Sequence, residues 1–290
     1  MITRPALTTG RKDLVAALID LAIAEDLADA GDITTLATVP GSLMCQCVIE
    51  GKEPAVVAGL ELAQKVFERF DPRIGLECLL KDGDSIDGVR TRIALVNGPA
   101  GSILTAERLV LNLMQRMSGV ATLTRKYAQL AKPHGIQILD TRKTTPGMRQ
   151  LQKEAVRLGG GTNHRFGLYD AILIKDNHVK IAGGVAQAVK LAKIRYPDKR
   201  VEVEVTNLDE VRQALEQNAD AILLDNMSPK MVKDSVALID GKAFIEVSGG
   251  ITLDTISSYF INGVDAISCG ALTHSAANVD MSLEVEKYYE

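Results

Sequence analysis

The spacing of apolar residues along this chain changes character near residue 100. From Lys12 to Leu27, Leu14, Leu18 and Leu21 recur with Ala17 and Ala22 at helical intervals, which predicts an opening helix. Leu43 to Glu50 alternate in the manner of a strand, and Gly59 to Phe70 return to a helical period with Leu60, Ala63, Val66, Phe67 and Phe70 on one face. Leu76 to Leu80 and Thr91 to Val96 read as short strands, punctuated by turns at Asp82-Gly83-Asp84 and Asn97-Gly98-Pro99. This part predicts a small sheet carrying helices.

From Ser102 a long helical pattern leads into short β-branched runs that alternate with helical stretches of about 10 to 15 residues, the mark of parallel βα units. The predicted strands are Ile136 to Leu139, Ala171 to Ile174, Val201 to Val205, Ala221 to Leu224, Ala243 to Val247 and Ala266 to Ser268. What closes each of them is charged or glycine-rich: Asp140-Thr141-Arg142-Lys143, Lys175-Asp176-Asn177-His178, Glu204, Asp225-Asn226, Ser248-Gly249-Gly250 and Gly270-Ala271. In a parallel α/β barrel these ends converge on one face, so residues far apart in the chain become neighbours. A doubly wound sheet also gathers its strand ends, but more often carries a single phosphate loop near its start, and the pattern favours the barrel.

Composition narrows the function classes. A net charge of -4 argues against nucleic-acid binding, which usually brings a basic excess. The basic residues that matter are local: Arg142, Lys143, Arg149, Arg165 and Lys175 fall in short Gly- and Thr-rich segments, where an anion site can form within an acidic protein. The longest apolar stretch, Leu14 to Ala24, is interrupted by Asp20 and too short to span a bilayer, and the start lacks a signal-peptide plan, so the expected address is cytoplasmic, with no membrane partner. Cys45, Cys47, Cys78 and Cys269 are too few and too irregular for a disulfide framework. Neither a P-loop, H-E-x-x-H nor G-x-S-x-G occurs.

Three constellations carry chemistry. The turns Ser248-Gly249-Gly250 and Gly270-Ala271 present bare backbone N–H groups, a frequent phosphate grip at the last barrel strands, although glycines also serve simply to make tight turns. Arg142, Arg165, Lys143 and Lys175, with His164, suit a multiply anionic ligand, because guanidinium forks bind carboxylates or phosphates while lysine supplies point charge. Glu204 and Asp225, on adjacent strand ends, suit either Mg²⁺ bound with a pyrophosphate or charge stabilisation at an anomeric carbon. Glu204 could instead form a structural ion pair with Lys175 or Arg142, and Glu202 shares its strand face, so pattern alone does not choose between the two glutamates. On the long helix, Arg108, Asn112 and Gln115 form a polar stripe opposite Leu109, Leu113 and Met117, ordinarily a solvated face.

The chain resembles the quinolinate phosphoribosyltransferase family over nearly its whole length. The resemblance is carried by GDITT at Gly31 to Thr35, AERLVLNLMQRMSGVAT from Ala106, DTRKTTPGMR from Asp140, GGGTNHRFGLYDAILIKDNH from Gly159, LLDNM from Leu223, EVSGGI from Glu246 and GVDAISCGALTHS from Gly263. Ala28-Asp29-Ala30 and Glu154 depart from its usual pattern without touching those motifs. The resemblance implies an incomplete, open parallel α/β barrel over residues 113–275, and a smaller N-terminal α+β sandwich domain over residues 1–112, on which a helix at 276–290 packs back. It implies transfer of phosphoribose from phosphoribosyl pyrophosphate to quinolinate, giving nicotinate mononucleotide, pyrophosphate and CO2 in NAD biosynthesis, with Mg²⁺. It further implies that Arg108, Arg142, His164 and Arg165 bind quinolinate, with Thr141 beside them and Lys175 near both substrates. Lys143, Ser248, Gly249, Gly250, Gly270 and Ala271 would hold the donor's phosphate, and Glu204 and Asp225 would face ribose and metal; Lys143, Lys175, Glu204 and Asp225 form the expected catalytic set. A homodimer is implied, with Arg108 lent to the neighbouring site. Two other enzymes stay open: a phosphoribosyltransferase of the same fold with another acceptor, and a Schiff-base aldolase using Lys175.

Overall fold

The computed structural model describes residues 14–88 and 90–290, which fall into two compact units. The first holds the chain up to Gly119 together with Thr145–Ala155 and Ala277–Glu290. Its opening helix α1 (Leu14–Leu27) buries Ile19 and leaves Leu14 and Leu21 60% and 67% exposed, so the expected Leu14–Leu18–Leu21 face is not the buried one. Apolar residues run all round this helix, and a period cannot choose between faces that look alike. Lys12 and Asp13, the first two residues of the expected helix, lie outside the described residues. Helix α2 (Ile33–Thr38), not foreseen, starts on Asp32, whose carboxylate accepts the Thr34 and Thr35 N–H groups. Then follow β1 (Met44–Gly51), β2 (Ala55–Val56), α3 (Leu60–Phe70), β3 (Gly75–Cys78), β4 (Ser85–Ile86) and β5 (Thr91–Pro99). Helix α3 buries Leu60, Ala63, Val66 and Phe67 as its spacing requires.

Helix α4 (Ala100–Ala131) begins in the first unit and ends in the second. It buries Leu109, Leu113 and Met117 and leaves Arg108 and Asn112 exposed, as the stripe demands. The second unit is built on β6 (Gln137–Leu139), β7 (Ile172–Ile174), β8 (Val201–Val205), β9 (Ala221–Asp225), β10 (Phe244–Ser248) and β11 (Ala266–Ser268), each within one residue of its expected bounds. The helices between them in sequence are α5 (Arg149–Leu158), most of which belongs to the first unit, α6 (Asp176–Ala182), α7 (Val185–Arg195), α8 (Leu208–Glu216) and α9 (Pro229–Ile239), with the short α10 (Ala271–His274) after β11. All six strands run parallel in the order β6-β11-β10-β9-β8-β7. The ends β6 and β7 do not pair, which leaves the barrel open.

The chain does not finish in a helix. Strand β12 (Met281–Tyr289) pairs antiparallel with β1, and the sheet order is β12-β1-β5-β3. Glu, Leu and Lys in this tail favour a helix locally, but Met281 and Leu283 alternate with Ser282 and Glu284, and the buried set falls on one side of a strand. Gln115 of α4 ties this return in place, donating to the Met281 carbonyl at 3.0 Å and accepting the Val279 N–H on its own carbonyl at 3.2 Å.

Candidate active site

Strand β8 sets the character of the second unit. In Val-Glu-Val-Glu-Val, Val201, Val203 and Val205 are fully buried on one face, which turns Glu202 and Glu204 to the other. Register extends that polar face across the sheet in layers: Glu204 stands level with Leu223, Glu246 and Ala266, and Asp225 with Ser248, Ser268 and Leu139. Above these layers opens a cavity of about 520 Å³, bounded by strand ends and the loops that leave them. On its wall are Thr141, Arg142, Lys143, His164, Arg165, Lys175, Glu204, Asp225, Ser248, Gly249 and Gly250, so most of the residues singled out from sequence come together here.

Buried Asp140 brings two of those loops together. Its carboxylate accepts the Asn163 side-chain N–H at 2.6 Å and the His164 backbone N–H at 2.9 Å, which places the Arg142 loop beside the Arg165 loop. Arg165 donates one guanidinium N–H to the Ala171 carbonyl at 3.0 Å. The Nε atoms of both Arg142 and Arg165 are buried and meet no hydrogen-bond partner among the described residues. Burial, and then the neighbouring Arg142 charge, presses the Arg165 pKa below its usual value. Two guanidiniums held close with unmatched donors cost energy that only a ligand of opposite charge recovers.

Opposite them, Lys175 donates to Glu204 Oε2 at 2.9 Å, and Asn226 donates to Asp225 Oδ2 at 2.7 Å. The ion-pair alternative for Glu204 is thus real, but it is half-exposed through Lys175 and sits on the cavity wall rather than in the core. A Schiff-base lysine works as a desolvated neutral amine, whereas the Lys175 ammonium is salt-bridged and 47% exposed, which speaks against the aldolase. Two hard carboxylates on neighbouring strands facing one cavity fit Mg²⁺, which takes a few carboxylates and completes its shell with water and substrate oxygens. Among the described residues, one ring nitrogen of His164 and one carboxylate oxygen each of Glu202 and Glu246 lie within 4.8 Å of one another.

Four expected residues stand differently from their reading. Both nitrogens of His164 bond within the protein, Nε2 to Glu202 at 3.0 Å and Nδ1 accepting the Arg165 N–H at 2.7 Å, so this ring orients its neighbours rather than offering a nitrogen to a ligand. Gly270 and Ala271 start α10 and are off the cavity wall; Gly270 instead passes against Lys143, where an added Cβ would come within 2.9 Å of the lysine's Cδ. Arg108 belongs to the first unit, 64% exposed and 3.8 Å from Glu107, and is not among the residues around the cavity. Conversely, Glu246, Ser268, Asn226, Leu173 and Leu223 line the cavity without having been singled out. The face that Glu246 occupies was legible, since it lies two residues before Ser248 on one strand, but its burial as an acid was not.

With this geometry in view, comparison with known proteins is informative. Residues 32–118 match the family described as quinolinate phosphoribosyl transferase, N-terminal domain, and residues 120–284 its C-terminal domain. A protein of Arabidopsis thaliana named nicotinate-nucleotide pyrophosphorylase (carboxylating), chloroplastic, is 43% identical over 289 residues, which cover 93% of this chain and 82% of the relative. A Methanocaldococcus jannaschii protein named probable nicotinate-nucleotide pyrophosphorylase (carboxylating) is 43% identical over 270 residues, 89% of this chain and 93% of the relative. The solved nicotinate-nucleotide pyrophosphorylase of Francisella tularensis superposes with a TM-score of 0.90 at 41% identity, covering 98% of this chain and all of that one.

Proposed function

Given that this chain belongs to the quinolinate phosphoribosyltransferase family, we propose that the cavity above the strand ends is where its reaction takes place. The activity is that of a carboxylating nicotinate-nucleotide pyrophosphorylase, a phosphoribosyltransferase of NAD biosynthesis. The quinolinate ring nitrogen attacks C1′ of phosphoribosyl pyrophosphate, the bond from C1′ to the pyrophosphate oxygen breaks, and pyrophosphate leaves with the electron pair. The ring nitrogen is then positive. The bond between C2 and its carboxylate breaks, CO2 departs, and the pair left on C2 takes up a proton.

The observation that carries the acceptor assignment is the pair of buried, unmatched Nε donors on Arg142 and Arg165. Quinolinate's two adjacent carboxylates supply two acceptor forks and two negative charges, which match two guanidiniums in number and sign. Thr141 and the His164 ring edge complete that end. Lys143 and the Ser248-Gly249-Gly250 turn take the donor's phosphate, with Gly270 shaping the bed of Lys143. Glu204 and Asp225 face the ribose, where their charge favours the cation that develops at C1′ as the bond to pyrophosphate stretches. Glu204 and Asp225 would hold Mg²⁺, whose charge would offset that of the leaving pyrophosphate. Lys175 stands beside Glu204, close to where both substrates meet.

A homodimer in which Arg108 completes a neighbouring site is supported by its exposed guanidinium and by the apolar residues Leu14, Leu21, Ile33 and Leu36 that the first unit leaves in solvent. Among the described residues no helix is long and apolar enough to cross a membrane.

The function is tested by incubating the protein with quinolinate, phosphoribosyl pyrophosphate and magnesium and following products by mass spectrometry. Nicotinate mononucleotide and pyrophosphate are expected in equal amounts, with none from nicotinate in place of quinolinate. Product from nicotinate but not from quinolinate would transfer the chain to another acceptor. The phosphate turn has its own test. Gly249 sits at φ +101°, and a Cβ there would lie 2.3 Å from Asn226 Oδ1 and 2.8 Å from the Asn226 nitrogen. Gly249→Ala therefore strains the turn by about 1–3 kcal/mol. The KM for the phosphoribosyl donor should rise roughly ten-fold, with the quinolinate KM little changed; an unaltered donor KM would remove the turn from phosphate binding.

A further inference from the structure

Beneath the arginines lies a group of side chains to which the reaction above gives no task. Glu246, in the middle of β10, is 1% exposed. One of its carboxyl oxygens lies within 4.8 Å of a Glu202 carboxyl oxygen, its Oε2 lies 3.5 Å from His164 Nε2, and its Oε1 meets no hydrogen-bond partner among the described residues. His164 Nδ1 accepts the Arg165 backbone N–H, so the ring's one hydrogen is on Nε2, and it goes to Glu202 Oε2 at 3.0 Å. The nearer acceptor, Glu202, takes the ring's N–H, which leaves Glu246 at 3.5 Å with little of it, and two uncompensated anions side by side in a dry space repel strongly.

We infer that Glu246 is a positioning residue for the acceptor half of the site: as a neutral carboxylic acid it donates a hydrogen bond to Glu202, which fixes the His164 ring, which in turn holds the backbone of Arg165. The chain of bonds runs from Glu246 to the backbone N–H of the residue that carries one of the two guanidiniums, each link donor to acceptor without conflict. The orphaned Oε1 agrees with it, because a buried oxygen without a partner costs far less on a neutral acid than on an anion.

The surroundings favour the proton. Burial first, and then the Glu202 charge, push the Glu246 carboxyl up to about 8, against smaller lowering effects of His164 and Ser268. The groups facing it are Glu202 from β8, His164 from the loop before β7, and Ser268 and Cys269 from and after β11. From β9 its register partner is the apolar Leu223. The Cys269 thiol, raised by burial to about 12, stays neutral and adds no charge. Glu246 therefore ionises as pH climbs through about 8, and the resulting anion would face Glu202 and break the chain of bonds. The sign for stability follows: the folded protein keeps a proton that the unfolded chain releases above its ordinary value of 4.5, so this group lowers stability as pH rises from there towards 8.

The inference rests on quinolinate being the ligand of Arg142 and Arg165, so binding of quinolinate to the wild-type protein is measured first, by calorimetry from pH 7 to 9. Glu246→Gln has the shape and the donor of the neutral acid but cannot ionise. Its quinolinate Kd should match wild type within about two-fold at pH 7 and stay flat to pH 9, where wild type, a unit past its midpoint, weakens about ten-fold. Glu246→Leu, without a donor, should bind quinolinate at least about ten-fold more weakly throughout, while both variants keep the donor substrate's Kd. The melting temperature of wild type should also fall between pH 5 and 8 relative to the glutamine variant. A glutamine variant that weakens with pH as wild type does, or binds at pH 7 as poorly as the leucine variant, overturns the inference. Wild-type protein that fails to bind quinolinate overturns the acceptor reading and this inference with it.

Discussion

Arg165→Ala is expected to weaken quinolinate binding by about two orders of magnitude and, at the same time, to leave the protein no less stable. Removing one partner of a desolvated charge pair typically costs about 2–5 kcal/mol, or on the order of 30-fold and upwards in affinity. The loss should fall on quinolinate alone, with the phosphoribosyl donor's Kd within a few-fold of wild type, since the proposed place of the donor's phosphate is at Lys143 and the Ser248-Gly249-Gly250 turn, on other parts of the cavity wall. Stability moves the other way because the empty site is unfavourable: Arg165 and Arg142 repel, and the Nε of each is buried without an acceptor. Taking one away relieves both terms, against the loss of the bond to the Ala171 carbonyl. A site built to welcome a dianion is a place where activity and stability part company. Arg165→Lys should recover only part of the binding, since it restores the charge but not the fork. Calorimetric titration with each substrate separately, together with thermal melts, checks the pattern; equal weakening for both substrates would undo the assignment.

Much of this site could be read from the chain because parallel βα units separate two kinds of residue. Strand interiors such as Val201, Val203 and Ile222 are buried and apolar, so any charge at a strand end stands out against them. That is why Arg142, Lys175, Glu204 and Asp225 were visible as a set spread over the catalytic half. Glu246 escaped because it lies inside a strand, where a charge in sequence looks like an exposed face and only the opposing Glu202 and His164 reveal a buried acid. The role of His164 was equally hidden, since the partners of an imidazole depend on loops that Asp140 draws together. In the first unit the failures have another cause. Helix α1 offers apolar residues on every side, and β12 pairs with β1 more than 200 positions upstream, beyond what local period registers.

Glu204→Gln is expected to lower kcat by about 10²- to 10³-fold while changing either KM only a few-fold, the range found when one preorganised electrostatic group is removed from a transition state. The carboxylate is well placed for it. Strand β8 fixes its backbone between β7 and β9, and its Oε2 is held by the Lys175 ammonium at 2.9 Å, so it meets the developing charge without rearranging. Glutamine keeps the size and can still accept from Lys175, which isolates the charge from the shape. Asp225→Asn should behave differently if that carboxylate answers chiefly to the metal: the magnesium concentration for half-maximal rate should rise, and excess magnesium should recover part of the turnover. The two variants thus separate charge beneath the ribose from charge on the metal, roles that the sequence could not divide. Steady-state rates across a magnesium series decide it, and a Glu204→Gln enzyme with near-normal kcat would mean that the glutamate serves only to hold Lys175.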